Sequence, residues 1–358
     1  MRRSTAAWRD CRYEPATGAD GYEHDANAAR RAQVLWALQY DRRAGDLPLL
    51  RWLAGQEAEC RGQAPFQGLT EETELAGFLL AEHRQADDVW LHWAIKTANF
   101  DTWCGYDVEH LFAAGVQPSV AAVRDSDDPE RDAVMERLLD TGGEPCVSDE
   151  DVAGWFAHLR SRFPADPADE DPITWVERAK LVGDPVLARH WLDRWAAGRE
   201  RDPHTLGQLR HQLADLGAFA EAAAAQRESL TFAADASAWR TLAGLERRAG
   251  HHDAAWAALR ECRRALDDVA GWRTVGLGRM YVEELFLLAG VSAGALAGAA
   301  FAEADRVAGQ VPGLALVVLR AAVEAADNVG EEDRARHYRY LRDIEQQRID
   351  TELRELRS

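Results

Sequence analysis

The sequence predicts an all-α protein: a helical hairpin repeat array preceded by an irregular helical N-terminal half. Apolar residues recur at helical spacing through most of the 358 residues. Alternating segments rich in β-branched residues, which would predict strands, are nearly absent. A glycine followed five residues later by an alanine recurs through the second half. Such a repeat is typical of stacked helical hairpins.

The composition is that of a folded protein with a large apolar interior. Hydrophobic residues make up 47% of the chain, and 13 tryptophans supply extensive apolar surface, which a disordered chain would lack. The length exceeds one ordinary core, so we expect two domains or one elongated array.

The charge of the chain limits its partners. Acidic residues number 61 and basic residues 42, for a net charge of -19. This charge repels phosphate backbones, so we expect no nucleic-acid partner. The same field attracts a basic protein, although acidic surfaces also serve simply to keep proteins soluble.

The cysteines and the apolar runs indicate a cytoplasmic protein. The cysteines are odd in number, widely spread and without a CxxC pair, which favours reduced thiols over a disulfide framework. They are Cys11, Cys60, Cys104, Cys146 and Cys262. No apolar run approaches the length that crosses a bilayer, and no apolar stretch follows the basic N-terminus, so we expect no membrane partner.

The N-terminal half is predicted to be a helical domain over residues 26–162. In "RRAQVLWALQYDRR" a broad apolar stripe includes Val34, Leu35 and Leu38. Ser148, followed by three acidic residues, predicts a helix start. Residues 1–25 are expected to be mobile or only partly packed.

The stretch "RFPADPADEDP" predicts the main boundary. Its three prolines cannot continue a helix. We therefore expect an acidic, proline-rich connector at 163–172, followed by the repeat domain at 173–358.

The repeat is carried by glycines at intervals of 34, 33, 40 and 40 residues. A glycine just past a helix can adopt the left-handed conformation that ends it, and an alanine one turn into the next helix allows close antiparallel packing. The pairs are Gly183 and Ala188, Gly217 and Ala222, Gly250 and Ala255, Gly290 and Ala295, and Gly330 and Ala335.

These units resemble tetratricopeptide repeats, helix-turn-helix units of about 34 residues. In "ASAWRTLAGLERRAGHHDAAWAALRECRRAL" the matching positions are Trp239, Leu242, Ala243, Gly250, Ala255, Leu259 and Cys262. The preceding units match at Leu206, Leu209, Leu213, Gly217, Ala222 and Ser229, and at Trp175, Ala179, Gly183, Ala188, Leu192 and Trp195. The resemblance covers 173–267 and extends with fewer matching positions to 345. Glu246 departs from it by replacing an aromatic, Arg210 and Val176 by replacing small residues, and the usual terminal proline is missing.

The resemblance implies a curved array whose concave side binds a peptide or protein. Together with the net charge, it predicts a cytoplasmic interaction scaffold whose partner is an extended or basic segment, with a neutralising, immunity-type protein or a regulator as special cases. A purely structural alternative is that the array braces the N-terminal half or forms a dimer.

A second class of function would use the stretch "HWAIKTANFDTWCGYDVEH", from His92 to His110. The pattern predicts a helix over 87–98, a break in "NFDTWCG", and Asp107 as the cap of the next helix. The plain interpretation is a corner between helices. In the alternative, the protein is an enzyme or small-molecule binder and the array supports it. Its candidates are Lys96, Asp101, Cys104 and His110, because cysteine and histidine can form an activated thiolate with an acid to orient the ring.

No other pattern predicts a cofactor or metal. The sequence lacks a glycine-rich phosphate loop, an HExxH and a GxSxG. His251 and His252 are expected in an exposed hairpin turn. The tryptophans of the second half are interpreted as core residues: Trp175, Trp191, Trp195, Trp239 and Trp256.

Overall fold

The computed structural model describes residues 1–2, 4–19, 21–63 and 68–356. Within these residues the chain forms 18 α-helices and one two-stranded antiparallel hairpin. The all-α prediction is therefore confirmed. The chain divides into two compact units, Met1–Asp184 and Pro185–Ser358. Residues 3 and 20 of the predicted N-terminal segment, and the last two of the predicted repeat domain, lie outside the described residues.

Among the described residues, nine α-helices belong to each unit. Those of the first are α1 Ala28–Tyr40, α2 Leu47–Gln63, α3 Glu71–Ala81, α4 Val89–Lys96, α5 Phe100–Gly105, α6 Val116–Arg124, α7 Arg131–Leu138, α8 Asp149–Arg162 and α9 Pro172–Leu181. Those of the second are α10 Pro185–Ala196, α11 Pro203–Asp215, α12 Phe219–Ser229, α13 Ala236–Arg248, α14 His252–Asp267, α15 Gly276–Val291, α16 Gly294–Ala308, α17 Leu316–Val329 and α18 Glu332–Leu356. No helix among the described residues is both long and apolar enough to cross a bilayer.

The first 25 residues contain regular structure and contact the helices. A 3-10 helix at Thr5–Cys11 precedes β1 (Pro15–Thr17) and β2 (Glu23–Asp25). The fully buried Arg31 guanidinium pairs with Asp25 at 2.7 Å and with Glu57 at 2.5 Å. This pairing connects the β-hairpin to α1 and α2. The mobility expected for the segment stays a prediction.

The proline-rich segment ends one helix and begins another, as the sequence predicts. After α8, a 3-10 turn at Pro167–Asp169 leads to Asp171, whose side chain accepts a hydrogen bond from the Ile173 amide. This cap starts α9, which belongs to the first unit, so the division between the units falls after α9.

A buried polar network holds the proline-rich segment and α9 against α1. The side chains of Arg178 and Glu170 are each 3% exposed and lie 3.5 Å apart. Gln39 accepts a hydrogen bond from Arg178 at 2.8 Å and donates to Glu170 at 3.0 Å. The Tyr40 hydroxyl donates to Glu170 at 2.6 Å. Since buried charges must be paired to be tolerated, these contacts fix where α9 lies.

In the second unit consecutive helices pair as hairpins. The pairs are α11 with α12, α13 with α14, α15 with α16, and α17 with α18, and neighbouring hairpins contact through α13, α15 and α17. Gly217, Gly250 and Gly330 follow helices with φ of 75°, 80° and 77°. The left-handed turn predicted at these glycines is confirmed.

The predicted turn at Gly290 is wrong. Gly290 lies within α15, which continues to Val291, and the positive φ belongs to Gly294 instead. Ala295 is exposed, whereas the alanines of the other four pairs are fully buried. A Cβ at Gly290 would lie 3.8 Å from the Ala325 amide nitrogen. This glycine therefore serves the close approach of α17.

We predict that Arg178→Ala destabilises the first unit by about 3–5 kcal/mol, because Glu170 would remain buried without its cation. Urea unfolding followed by circular dichroism measures the change. The double variant Arg178→Ala/Glu170→Gln should recover part of the lost stability, since no unpaired charge is then buried.

Arg160 provides the matched control, because its pair with Glu82 is half exposed. Arg160→Ala should cost no more than about 1 kcal/mol. Equal losses for the two alanine variants would contradict the importance assigned to the buried network.

Candidate functional site

The predicted corner between His92 and His110 is built from three short helices. The predicted break in "NFDTWCG" is wrong for most of that stretch, because Phe100–Gly105 form α5 and the break consists of residues 97–99. Asn99 caps α5: its side chain accepts a hydrogen bond from the Thr102 amide at 2.8 Å, and the Thr102 hydroxyl accepts from the Asn99 amide. The predicted cap by Asp107 is wrong. The Asp107 carboxylate instead accepts a hydrogen bond from Trp155 Nε1 at 3.0 Å, and a 3-10 helix follows at Val108–Phe112.

Lys96 is buried and holds the end of α5. Its side chain is 2% exposed, and Nζ donates to the carbonyl oxygens of Trp103 at 2.8 Å and Tyr106 at 2.6 Å. A cation at a helix C-terminus satisfies carbonyls that have no partner within the helix. Burial, together with the nearby Arg137 charge, lowers the pKa of Lys96.

His92, Tyr106 and His110 form one aromatic cluster, in which the centroids of the two imidazoles are 5.4 Å apart. The Tyr106 hydroxyl is 2.8 Å from His92 Nδ1, and the Tyr106 ring stacks on His110 with 3.8 Å between centroids. His110 Nδ1 donates to the Asp107 carbonyl at 3.1 Å, since a carbonyl can only accept. Neither Nε2 atom has a hydrogen-bond partner among the described residues.

The cluster is packed closely against α3. The Tyr106 hydroxyl faces Gly77, and a Cβ at Gly77 would collide with it. Glycine is required here because it leaves room for the phenol. Burial lowers the pKa of His92 to about 3. Burial also lowers the pKa of His110, and the neighbouring His92 lowers it further. Both imidazoles are therefore neutral at pH 7.

The four predicted candidates do not share one environment. Lys96 and His110 are buried around Tyr106, whereas Asp101 and Cys104 lie on the exposed face of α5. A general base must reach the proton that it removes, directly or through one water. The contacts of Lys96 and His110 favour structural roles, and the catalytic role of the four residues stays a prediction.

The titratable groups do not gather into a metal site in the part of the chain that the structure describes. There, no three or more His, Cys, Asp or Glu side chains are placed to hold an ion. All five cysteines are free thiols. His251 Nδ1 instead lies 3.0 Å from Glu246 Oε2, which makes it a partner of a buried carboxylate.

The second unit contains an open groove between α14 and α16, which we call the α14–α16 groove. Its volume is about 530 Å³. Tyr281 of α15 forms part of its floor. The lining residues are Trp256, Arg260, Arg263, Arg264, Tyr281, Ala299, Ala302, Glu303 and Arg306.

A second groove, the α12–α14 groove, lies on the other side of α14. It has a volume of about 610 Å³ and a mainly apolar wall. Its lining residues are Arg227, Leu230, Thr231, Trp239, Leu242, Glu246, Ala254, Ala257, Ala258 and Glu261. Glu246 is 1% exposed and is paired with Arg227 and His251. The position where the repeat family has an aromatic residue thus holds a neutralised carboxylate.

Of the tryptophans interpreted as core residues, Trp195 is buried, whereas Trp175, Trp191, Trp239 and Trp256 are only half-buried. The core interpretation is wrong for Trp239 and Trp256, which line these grooves. The apolar pattern of α14 indicates that Trp256 is not fully buried. The buried stripe of α14 includes Ala255, Leu259 and Cys262. Trp256 follows Ala255, so its side chain points about 100° around the helix from that of Ala255. A large aromatic residue at the edge of the buried stripe indicates a side chain that is only partly covered and can form the floor of a groove.

We predict that His92 makes the first unit sensitive to acid. An unfolded histidine binds a proton below about pH 6.5, but folded His92 binds one only near pH 3. The stability is therefore complete above the unfolded pKa and is lost as the pH falls from 6.5 toward 3. Between pH 7 and pH 5 the loss from His92 should be about 2 kcal/mol.

Urea unfolding of the wild type and His92→Asn at the two pH values measures this loss. Asparagine retains a polar atom near the Tyr106 hydroxyl and does not titrate, so its pH dependence should be smaller. His158→Asn, at an exposed position of α8, should behave like the wild type. An unchanged pH dependence in His92→Asn would refute the assignment.

The helix order and the quoted repeat positions carry the resemblance to tetratricopeptide repeats, which stays a prediction. No family model, curated protein or solved structure matches this chain.

Proposed function

We propose that this protein is an interaction scaffold whose second unit binds a peptide or protein segment. The observation that carries the proposal is the pair of open grooves on the two sides of α14, each with a half-buried tryptophan on its floor. Aromatic anchors beside arginines are the groups that most often dominate binding energy at protein interfaces.

The shape of the grooves supports a segment rather than a small metabolite. Each groove is open to solvent, and the two linings include residues of three successive second helices, α12, α14 and α16. Small-molecule sites are usually enclosed and bury most of their ligand. A side chain from an extended or helical partner can enter such a groove while its backbone stays outside.

The family resemblance implies binding on the concave side of a curved array. The two grooves are bordered by α12, α14 and α16, the second helices of their hairpins, and α13 and α15 contribute lining residues. The proposal therefore rests on these grooves and their residues, and it does not require the array to be curved.

The α12–α14 groove allows a sharp test. Ala257 is exposed, lies on the wall of that groove and points away from the buried stripe of α14. Ala257→Arg should reduce recovery of the partner about tenfold or more, because the long side chain fills the groove. The measurement is quantitative mass spectrometry of proteins that co-purify with the tagged full chain from its native cells.

Ala224→Arg provides the matched control. Ala224 is an exposed alanine of α12 outside the groove, and arginine is nearly as good a helix former as alanine. Both variants should therefore melt like the wild type, and only Ala257→Arg should lose the partner. A partner that is retained equally by all three proteins would rule out this groove as its site.

A further inference from the structure

We infer that the α14–α16 groove binds an acidic segment of a partner protein, with an apolar side chain of that segment seated against Trp256 and Tyr281. This inference rests on the proposed function and names the chemistry of the partner at one of its two grooves. It differs from the basic partner that the net charge of the chain suggests.

The first observation is the local charge of the groove. Four of its nine lining residues are arginines and only one is acidic, although acidic residues outnumber basic ones in the whole chain. Their guanidinium groups suit carboxylates, because two parallel N–H donors match the two carboxylate oxygens.

The second observation is an unmatched cation. Arg260 is exposed on α14, and it has no ion pair or side-chain hydrogen bond among the described residues. The other arginines of the groove each have an acidic partner close by in sequence: Arg263 with Asp267, Arg264 with Glu261, and Arg306 with Glu303. Such half-exposed pairs contribute little to stability, so an incoming carboxylate can exchange with them.

The third observation is the floor. Trp256 is half-buried, and Tyr281, which carries a phenol hydroxyl, is 2% exposed and lines the groove. That hydroxyl makes no hydrogen bond within the described part of the chain, and burial together with the nearby Glu303 charge raises the pKa of Tyr281. The phenol is therefore a neutral donor that can serve an acceptor of the partner, while the indole contributes apolar contact.

The neighbouring groove provides an internal comparison. In the α12–α14 groove the one arginine, Arg227, is paired with the buried Glu246, and Glu261 adds a further negative charge to the lining. No unmatched cation lines that groove. Of these two grooves, the α14–α16 groove is therefore the one suited to acidic side chains.

Fluorescence anisotropy with the full chain tests the inference. Two labelled peptides of equal length share a central Trp-Leu pair, and their flanks consist either of Glu and Asp or of Lys and Arg. The acidic peptide should bind the wild type, and Arg260→Glu should weaken its binding about tenfold or more, since a charge-assisted contact becomes a repulsion.

Arg320→Glu is the control, because Arg320 is an exposed arginine of α17 outside the groove and the change in net charge is identical. It should leave the affinity for the acidic peptide within about twofold of the wild type, as screening removes most of its effect. Ala257→Arg should also leave that affinity unchanged, since it alters the other groove.

Three results would overturn the inference. They are equal weakening by Arg260→Glu and Arg320→Glu, preferential binding of the basic peptide, and binding of neither peptide. None of these three decides the proposed function, which fails when the tagged wild-type chain recovers no partner from its native cells.

Discussion

The first unit depends on the rule that a buried guanidinium must be neutralised. Arg178 on α9 lies among Gln39, Tyr40 and Glu170, and its guanidinium also lies 5.2 Å from the ring centres of Trp36 and Trp175. These partners come from α1, the proline-rich segment and α9 itself. These contacts hold the segment after α8 folded back against α1, which precedes it. Arg31 acts in the same way at the other end of the unit, where Asp25 and Glu57 bring the β-hairpin and α2 together.

Local signals in the sequence predict local structure well. Helical periodicity predicts the all-α class, and Ser148 begins α8 with the expected cap. Glycines predict three of the hairpin turns in the second unit. The same signals fail where a distant residue competes. Gly290 has the spacing of a turn, but it lies within α15, whose C-terminal end is capped by Asn328 of α17 through the carbonyls of Ala289 and Ser292. Asp107 has the position of a cap, but Trp155, 48 residues away, takes its carboxylate.

The same difference between local signals and distant contacts applies to the four candidate site residues. Sequence proximity suggested that Lys96, Asp101, Cys104 and His110 act together. In the structure, Asp101 and Cys104 lie on the exposed face of α5, whereas Lys96 and His110 are buried. Burial of His92 and His110 also depends on residues outside the stretch between them, namely Gly77 of α3, which leaves room for the Tyr106 phenol, and Trp155 of α8, whose ring contacts His110. No short window of sequence contains that information. The grooves were missed for the complementary reason, because a half-buried tryptophan and a fully buried one look alike in a pattern.

The acidic net charge and the arginine-lined groove act at different distances. At physiological ionic strength the Debye length is about 8 Å, so a partner far from the surface experiences the average acidic field, and one within the groove experiences chiefly the residues that line it. The average field slows the approach of an acidic protein as a whole, but it does not cancel contacts with Arg260 and its neighbours. A partner suited to both conditions is near neutral or basic overall and exposes a short acidic segment with an apolar residue. The net charge of the chain and the local charge of the groove then select for different parts of the same molecule.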